Sequence, residues 1–177
     1  NHKDYLDRDS FDSAIDKCLT KLNIDLVVLA GFMRILGKNI TEKYNGKIIN
    51  LHPSLLPLYP GLDTHKNVIA NKDKIHGISI HYVSAELDAG PLIAQGFINV
   101  KEGDNLDELI ARIHKIEHLL LPEVVAEIFS KLLTKFEPLE ALINLTNKIQ
   151  GTYAFAFLVK GSDSIYAVRK GSPLVFG

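Results

Sequence analysis

"KIINLHPSLLPLYPG", Lys47 to Gly61, runs from an apolar pair straight into a segment with three prolines. "KIIN" reads as a strand buried in a sheet, because consecutive apolar residues leave neither face for solvent. Proline fixes φ and has no N–H to donate, so "HPSLLPLYPG" is neither helix nor central strand. The chain therefore leaves a buried strand, at its carboxyl end, for a stiff loop with Asn50 and His52 at the mouth. A loop this rigid is suited to holding something in place.

On the amino-terminal side, "IDLVVLAGF" is a continuous apolar run closed by Gly31, the pattern of a strand covered on both faces. Ser10 to Leu22 reads as a helix with Phe11, Ala14, Ile15, Cys18, Leu19 and Leu22 on one stripe, which assigns Cys18 to the core. Residues 38–44 form a short helix. On the carboxyl side, "GLDTHKNVIANKD" is helical in pattern. "HGISIHYVS" alternates as a strand, with Ile78, Ile80 and Tyr82 on one side and His81 on the other. "DAGPLIAQGFINV" turns at Asp88–Pro91 into a further strand. Asp104 and Asn105, with Glu108 behind them, start a long helix through "LDELIARIHKIEHLL".

Alternating strands and helices predict an α/β domain, Rossmann-like, with a mostly parallel sheet. In such sheets ligands bind outside the carboxyl ends of the strands, where the proline loop sits. After Phe129 the style changes. "KLLTKFEPLEALINLTNKIQ" is one more amphipathic helix, and "GTYAFAFLVKGSDSIYAVRKGSPLVFG" reads as two alternating strands around a "GSDS" turn, with a third beginning. The expected organisation is an α/β region over 1–129 and a short α+β tail with antiparallel strands over 130–177.

The 177 residues suit one domain or one and a half. Hydrophobic content of 46% and charged content of 23% are ordinary for a globular chain. A net charge of −1 lacks the electrostatic footprint of a nucleic-acid binder. No apolar run nears the roughly 20 residues that span a bilayer, and "NHKDYLDRDS" has no signal-peptide character. The lone cysteine, Cys18, rules out an internal disulfide and suits a reducing, cytoplasmic setting.

The chain has no G-x-S-x-G elbow, no Walker A and no G-x-G-x-x-G. "HKIEH" sets His114 and His118 one helical turn apart, yet no third ligand is evident and Leu109, Ile110, Ile113 and Ile116 mark an ordinary packed helix. No metal site is expected there. The stronger constellation is Asn50, His52 and Asp88. Residues two apart on an extended segment point the same way, and Asp88 opens a turn at a neighbouring strand end. An amide N–H and an imidazolium both donate to a developing oxyanion, and a carboxylate beside an imidazole favours its charged form. These parts suit acyl or formyl transfer by direct attack, without a covalent enzyme intermediate. An ordinary turn cap is the bland alternative for Asp88.

"VVLAGFMRIL", "IINLHPSLLPLYPGLDTH", "HGISIHYVSAELDAGPLIAQ" and "RIHKIEHLLLP" together resemble the glycinamide ribonucleotide formyltransferase family, in unbroken order over residues 1 to about 129. N-x-H-P-S-L-L-P is shared across 10-formyltetrahydrofolate enzymes. "YPGLDTH" and "ELDAGP" narrow the match to the purine-pathway transferases. The resemblance implies formyl transfer from 10-formyltetrahydrofolate to the amine of glycinamide ribonucleotide, both small molecules, with no metal. It implies that Asn50 and His52 hold the oxyanion of a tetrahedral intermediate, while Asp88 orients and charges His52 and moves a proton through water. Phe32, Met33, Arg34, Ile35 and Leu36, with Val83, Ser84, Ala85, Glu86, Leu87 and Asp88, are implied to line the pterin pocket. Glu117 is implied to contact the glycinamide ribonucleotide.

Members of that family begin about sixty residues earlier, with a glycine-rich turn that cradles phosphate at a helix N-terminus, so the chain is expected to be incomplete at its amino end. The tail, through "AVRKGSPLVFG", resembles part of the glutaminase domain of glutamine–fructose-6-phosphate aminotransferases. That family's nucleophile is an N-terminal cysteine, which this chain does not have. Three readings follow: a folate-dependent formyltransferase, an inactive remnant retaining part of the folate pocket, and a piece of a glutamine amidotransferase. Oligomeric state is not legible in the sequence.

Overall fold

The computed structural model describes residues 2–22, 26–148, 153–159 and 162–170. Four strands, β1 (Val27–Ala30), β2 (Ile48–His52), β3 (Ile75–Tyr82) and β4 (Leu92–Asn99), form one sheet in the order β1-β2-β3-β4. Helices α1 (Arg8–Lys21), α2 (Lys38–Lys43), α3 (Thr64–Ala70), α4 (Leu106–Leu133) and α5 (Pro138–Lys148) accompany it. Strands β5 (Tyr153–Leu158) and β6 (Ile165–Lys170) pair antiparallel as a separate ribbon.

The α/β class is as expected, but the described sheet is mixed rather than mostly parallel. β1 runs parallel to β2, whereas β2–β3 and β3–β4 are antiparallel. His52, the last residue of β2, pairs with Ser79, so β3 starts at Ile75 beyond the end of β2. After the proline loop and the short α3, the chain thus re-enters the sheet from the side on which it left. A return of that kind is antiparallel whatever helix it contains.

The apolar pair in β2 separates the two cores. Ile48 packs with Leu19, Leu36, Ile40 and Tyr44, on the side of α1 and α2. Ile49 packs with Leu26, Ile80 and Val124, beneath α4. Adjacent residues of a strand point to opposite faces, so one dipeptide serves both.

α1 starts two residues before the expected Ser10. Asp7 Oδ1 accepts from the Ser10 N–H at 2.7 Å and the Ser10 hydroxyl oxygen accepts from the Asp7 N–H at 3.3 Å, a reciprocal cap. The stripe assigned to this helix was too wide. Leu19 is buried, but Cys18 beside it is exposed, which corrects its expected place in the core. Asp12 is buried instead, its carboxylate accepting the Gly37 N–H at 2.6 Å.

α4 begins with the expected cap. Asn105 Oδ1 accepts the Glu108 N–H at 2.9 Å, and Glu108 Oε2 accepts the Asn105 N–H at 3.4 Å. The helix then continues through Pro122 to Leu133, so the expected division at 129/130 falls inside an unbroken helix. The single tail helix read over Lys131 to Gln150 is two pieces, the end of α4 and a distinct α5. Ala141 and Leu142 of α5 bury against Val125 of α4, with Tyr166 and Val168 of β6 packed on the same cluster. The third tail strand, expected within residues 171–177, lies outside the described residues. Among the described residues no helix is long and apolar enough to cross a membrane.

Candidate active site

The loop after β2 is held by one buried hydroxyl as well as by its prolines. Ser79, fully buried on β3, donates to the Ser54 carbonyl at 2.7 Å and accepts from the Leu56 N–H at 3.0 Å and from Gln95 Nε2 at 2.8 Å. A hydroxyl has one hydrogen and two lone pairs, so this one is fully committed. Gln95 Nε2 also donates to the Leu56 carbonyl at 3.0 Å, and the Ser54 hydroxyl closes the loop on the Leu58 carbonyl at 2.6 Å. Loop, β3 and β4 are thereby one unit, and His52 enters it at a fixed height.

Asn50, His52 and Asp88 converge at the carboxyl end of β2. Asp88, at φ 51°, turns back so that Oδ2 accepts the Gly61 N–H at 2.8 Å and stands 3.4 Å from His52 Nδ1. Its other oxygen lies 3.6 Å from His81 Nε2. His52 Nε2 is 2.8 Å from the Tyr59 carbonyl. A carbonyl only accepts, so Nε2 carries a hydrogen. His81 Nδ1 is likewise 2.8 Å from the Tyr82 carbonyl and carries a hydrogen there. In the neutral ring that leaves Nε2 as the acceptor for Asn50 Nδ2 at 3.2 Å. His81 thus fixes which end of the Asn50 amide faces inward.

These groups stand at one wall of a cleft of about 650 Å³. Phe32, Met33, Arg34, Ile35 and Leu36 line it, as do Val83, Ser84, Glu86, Leu87 and Asp88. Ala85, expected among the pocket residues, is not one of those that line the cleft. Glu117 and His114, from α4, line it as well. The wall is largely apolar, and the exposed Met33, Ile35, Leu62 and Leu87 face it. A largely apolar wall with a few convergent polar groups suits a small organic ligand.

Several cleft residues escaped the sequence reading. His81 was placed on a strand face without a role, because its partner Asn50 is set by cross-strand register. His65 also lines the cleft, and its Nδ1 is 2.8 Å from Nε2 of the buried His76. Burial, with the neighbouring His65, pushes His76 down to about 4. Burial also lowers His65, with His114 and His52 adding to it. His114 had drawn notice only as half of "HKIEH". It lies 4.0 Å from Glu117, and among the described residues no group of three or more histidine, cysteine or acidic side chains is placed to hold a metal.

The sequence matches a family profile described as "Formyl transferase" over residues 1–125. It is 41% identical over 126 residues to the phosphoribosylglycinamide formyltransferase of Bacillus subtilis (strain 168), covering 71% of this chain and 65% of that protein. It is 44% identical over 119 residues to the enzyme of the same name from Escherichia coli (strain K12), covering 67% and 56%. Among solved structures, phosphoribosylglycinamide formyltransferase from Campylobacter jejuni superposes with a TM-score of 0.68 at 43% identity, covering 73% of this chain and 66% of that one. The chain therefore spans between about half and two thirds of the length of these single-function relatives.

Proposed function

The chain belongs to the formyl transferase family, and from that premise we propose that it catalyses formyl transfer from 10-formyltetrahydrofolate to the primary amine of glycinamide ribonucleotide, a step of purine biosynthesis. The folate, when bound, supplies a formyl carbon for direct attack by the amine through a tetrahedral intermediate. The observation that carries the proposal is the convergence of Asn50, His52 and Asp88 at one end of a cleft with an apolar wall. Asn50 Nδ2 has a second hydrogen beyond the one given to His81, and His52, whose Nε2–H is held by the Tyr59 carbonyl, adds an Nδ1–H in its protonated form. Two donors two residues apart on β2, aimed at one oxygen, stabilise charge that develops only during reaction. Asp88 holds His52 in orientation and takes part in proton transfer through water. Its ionised form suits the Gly61 N–H that it accepts.

The apolar residues at Phe32–Leu36 and the backbone around Val83–Asp88 enclose and read the pterin ring. Glu117, in the cleft lining, meets the glycinamide ribonucleotide. We read the compartment as cytoplasmic, from the reduced lone cysteine, and the ligands as small molecules only. Residues 130–177 we read as a glutaminase-like segment without activity of its own, on the resemblance of "AVRKGSPLVFG" alone.

Folate titration followed by a turnover assay tests the reading. Binding of 10-formyltetrahydrofolate with formation of formylated product is expected. Folate binding without turnover favours the inactive remnant, and ammonia release from glutamine favours the amidotransferase reading.

A further inference from the structure

The two nitrogens of His52 meet unequal partners. Nε2 is 2.8 Å from the Tyr59 carbonyl, within ordinary hydrogen-bond range, whereas Nδ1 is 3.4 Å from Asp88, beyond it. The short contact is an anchor, and the long one leaves the Nδ1 side of the ring open to a further oxygen. What holds the anchor is therefore a question about Tyr59.

Tyr59 has φ 52°, a region that residues with a side chain rarely occupy. Such a conformation persists only where the surroundings over-determine it. Here the surroundings reach Tyr59 through its ring. The phenol donates to Asp73 Oδ2 at 2.5 Å and accepts from Asn71 Nδ2 at 2.8 Å. Asn71 caps the end of α3, and the Asp73 N–H donates to the Val68 carbonyl in that helix at 3.1 Å. The phenol is thus tied at one end to the terminus of α3, while the backbone of the same residue ties His52. A bond from a hydroxyl to a carboxylate is of the stronger, charge-assisted kind.

We propose that Tyr59 is a positioning residue for His52: its phenol, clamped by Asp73 and Asn71, holds the Tyr59 carbonyl on His52 Nε2 and so commits Nδ1 to Asp88 and the reacting oxygen. This rests on the formyl-transfer reading for its effect on turnover, but not for its effect on the ring itself. Loosening the clamp lets the carbonyl drift and frees Nε2. His52 then samples orientations in which neither N–H is correctly aimed, which lowers turnover without removing any group that binds substrate.

The test uses the full chain in four forms: wild type, Tyr59→Phe, Asp73→Ala and Asp73→Asn. Long-range proton–nitrogen NMR of ¹⁵N-histidine protein, without ligands, reports where the His52 hydrogens sit. In the wild type Nε2 is expected to be protonated. In Tyr59→Phe and Asp73→Ala its resonance is expected to move away from the wild-type position, as the Nε2–H loses its fixed carbonyl partner, and kcat to fall about tenfold with KM within about twofold. Asp73→Asn keeps an oxygen that accepts from the phenol and should retain at least about half of wild-type kcat. The double variant Tyr59→Phe, Asp73→Ala should cost no more than the worse single change, since both cut one chain of contacts. An unmoved His52 resonance in both clamp variants overturns the proposal, as does Asp73→Asn behaving like Asp73→Ala. If wild type transfers no formyl group, the functional reading fails, while the resonance still decides the clamp.

Discussion

His52 Nδ1 and Asp88 Oδ2 face each other across 3.4 Å, with only 6% and 9% of the two side chains exposed. They come from different elements, the last residue of β2 and the turn before β4. What brings them together is the positive φ of Asp88 and the Gly61 N–H that its carboxylate accepts. The pair is largely shielded from water, and each group has a second tie, His52 Nε2 to the Tyr59 carbonyl and Asp88 to the Gly61 N–H.

Replacing either oxyanion donor is expected to be severe. His52→Ala and Asn50→Ala should each lower turnover by about 10²–10³, because each removes an N–H aimed at developing charge. Folate affinity should survive in both, as the apolar wall is untouched. Steady-state kinetics alongside a folate titration checks this, and turnover near wild type in either variant removes that residue from the mechanism.

Asp88→Asn is nearly isosteric but exchanges an acceptor for an amide. One end of the amide must then present hydrogens to His52, His81 or the Gly61 N–H. Turnover should fall by about 10²-fold or more while the fold is kept. Circular dichroism and turnover on the same sample check the pair of expectations. A loss of turnover accompanied by unfolding would make Asp88 structural.

Ser79→Ala should destabilise the chain by about 1–3 kcal/mol, because it strands the Leu56 N–H, the Ser54 carbonyl and one bond of Gln95 in a buried place. The proline loop should loosen with it, and turnover fall although Ser79 lies outside the cleft lining. Urea unfolding read against kinetics checks this. Unchanged stability would mean that the prolines alone hold the loop.

Gly90→Ala should damage both folding and turnover. A Cβ at that position would stand 1.8 Å from the Tyr82 carbonyl oxygen, a backbone atom that cannot swing aside. The segment carrying Asp88 would have to move off β3. Thermal unfolding should show a destabilisation of about 2 kcal/mol or more. Near-native stability and activity would show that this segment yields easily.

The buried His76 makes stability depend on pH. Its folded value of about 4 lies below the ordinary 6.5, so the unfolded chain binds more protons between those limits. Stability from this group is full above about pH 6.5 and is lost as pH falls toward 4, by an amount of roughly 3 kcal/mol at most. His76→Gln should flatten the fall. Urea midpoints at pH 7 and 4.5 measure it, and an equal drop in variant and wild type would remove His76 as the cause.

Much of this was legible from residues in order. The apolar runs at Val27–Ala30 and Ile48–Ile49 gave their strands, Asn105 with Glu108 gave the start of α4, and three prolines gave a rigid loop beside Asn50 and His52. These follow from local physical chemistry: side-chain periodicity, capping groups and a fixed φ act over a few residues. Cys18 was misread because a stripe of apolar residues does not reveal how wide a contact the sheet offers. The direction of β3 was misread because a helix between two strands does not by itself dictate a crossover. His81 against Asn50, the Ser79 hydroxyl beneath the loop, and Tyr59 clamped between His52 and Asp73 are pairings of residues up to 31 apart. Only register and packing choose such partners, since a hydrogen-bonding side chain carries no record in the sequence of which distant group will satisfy it.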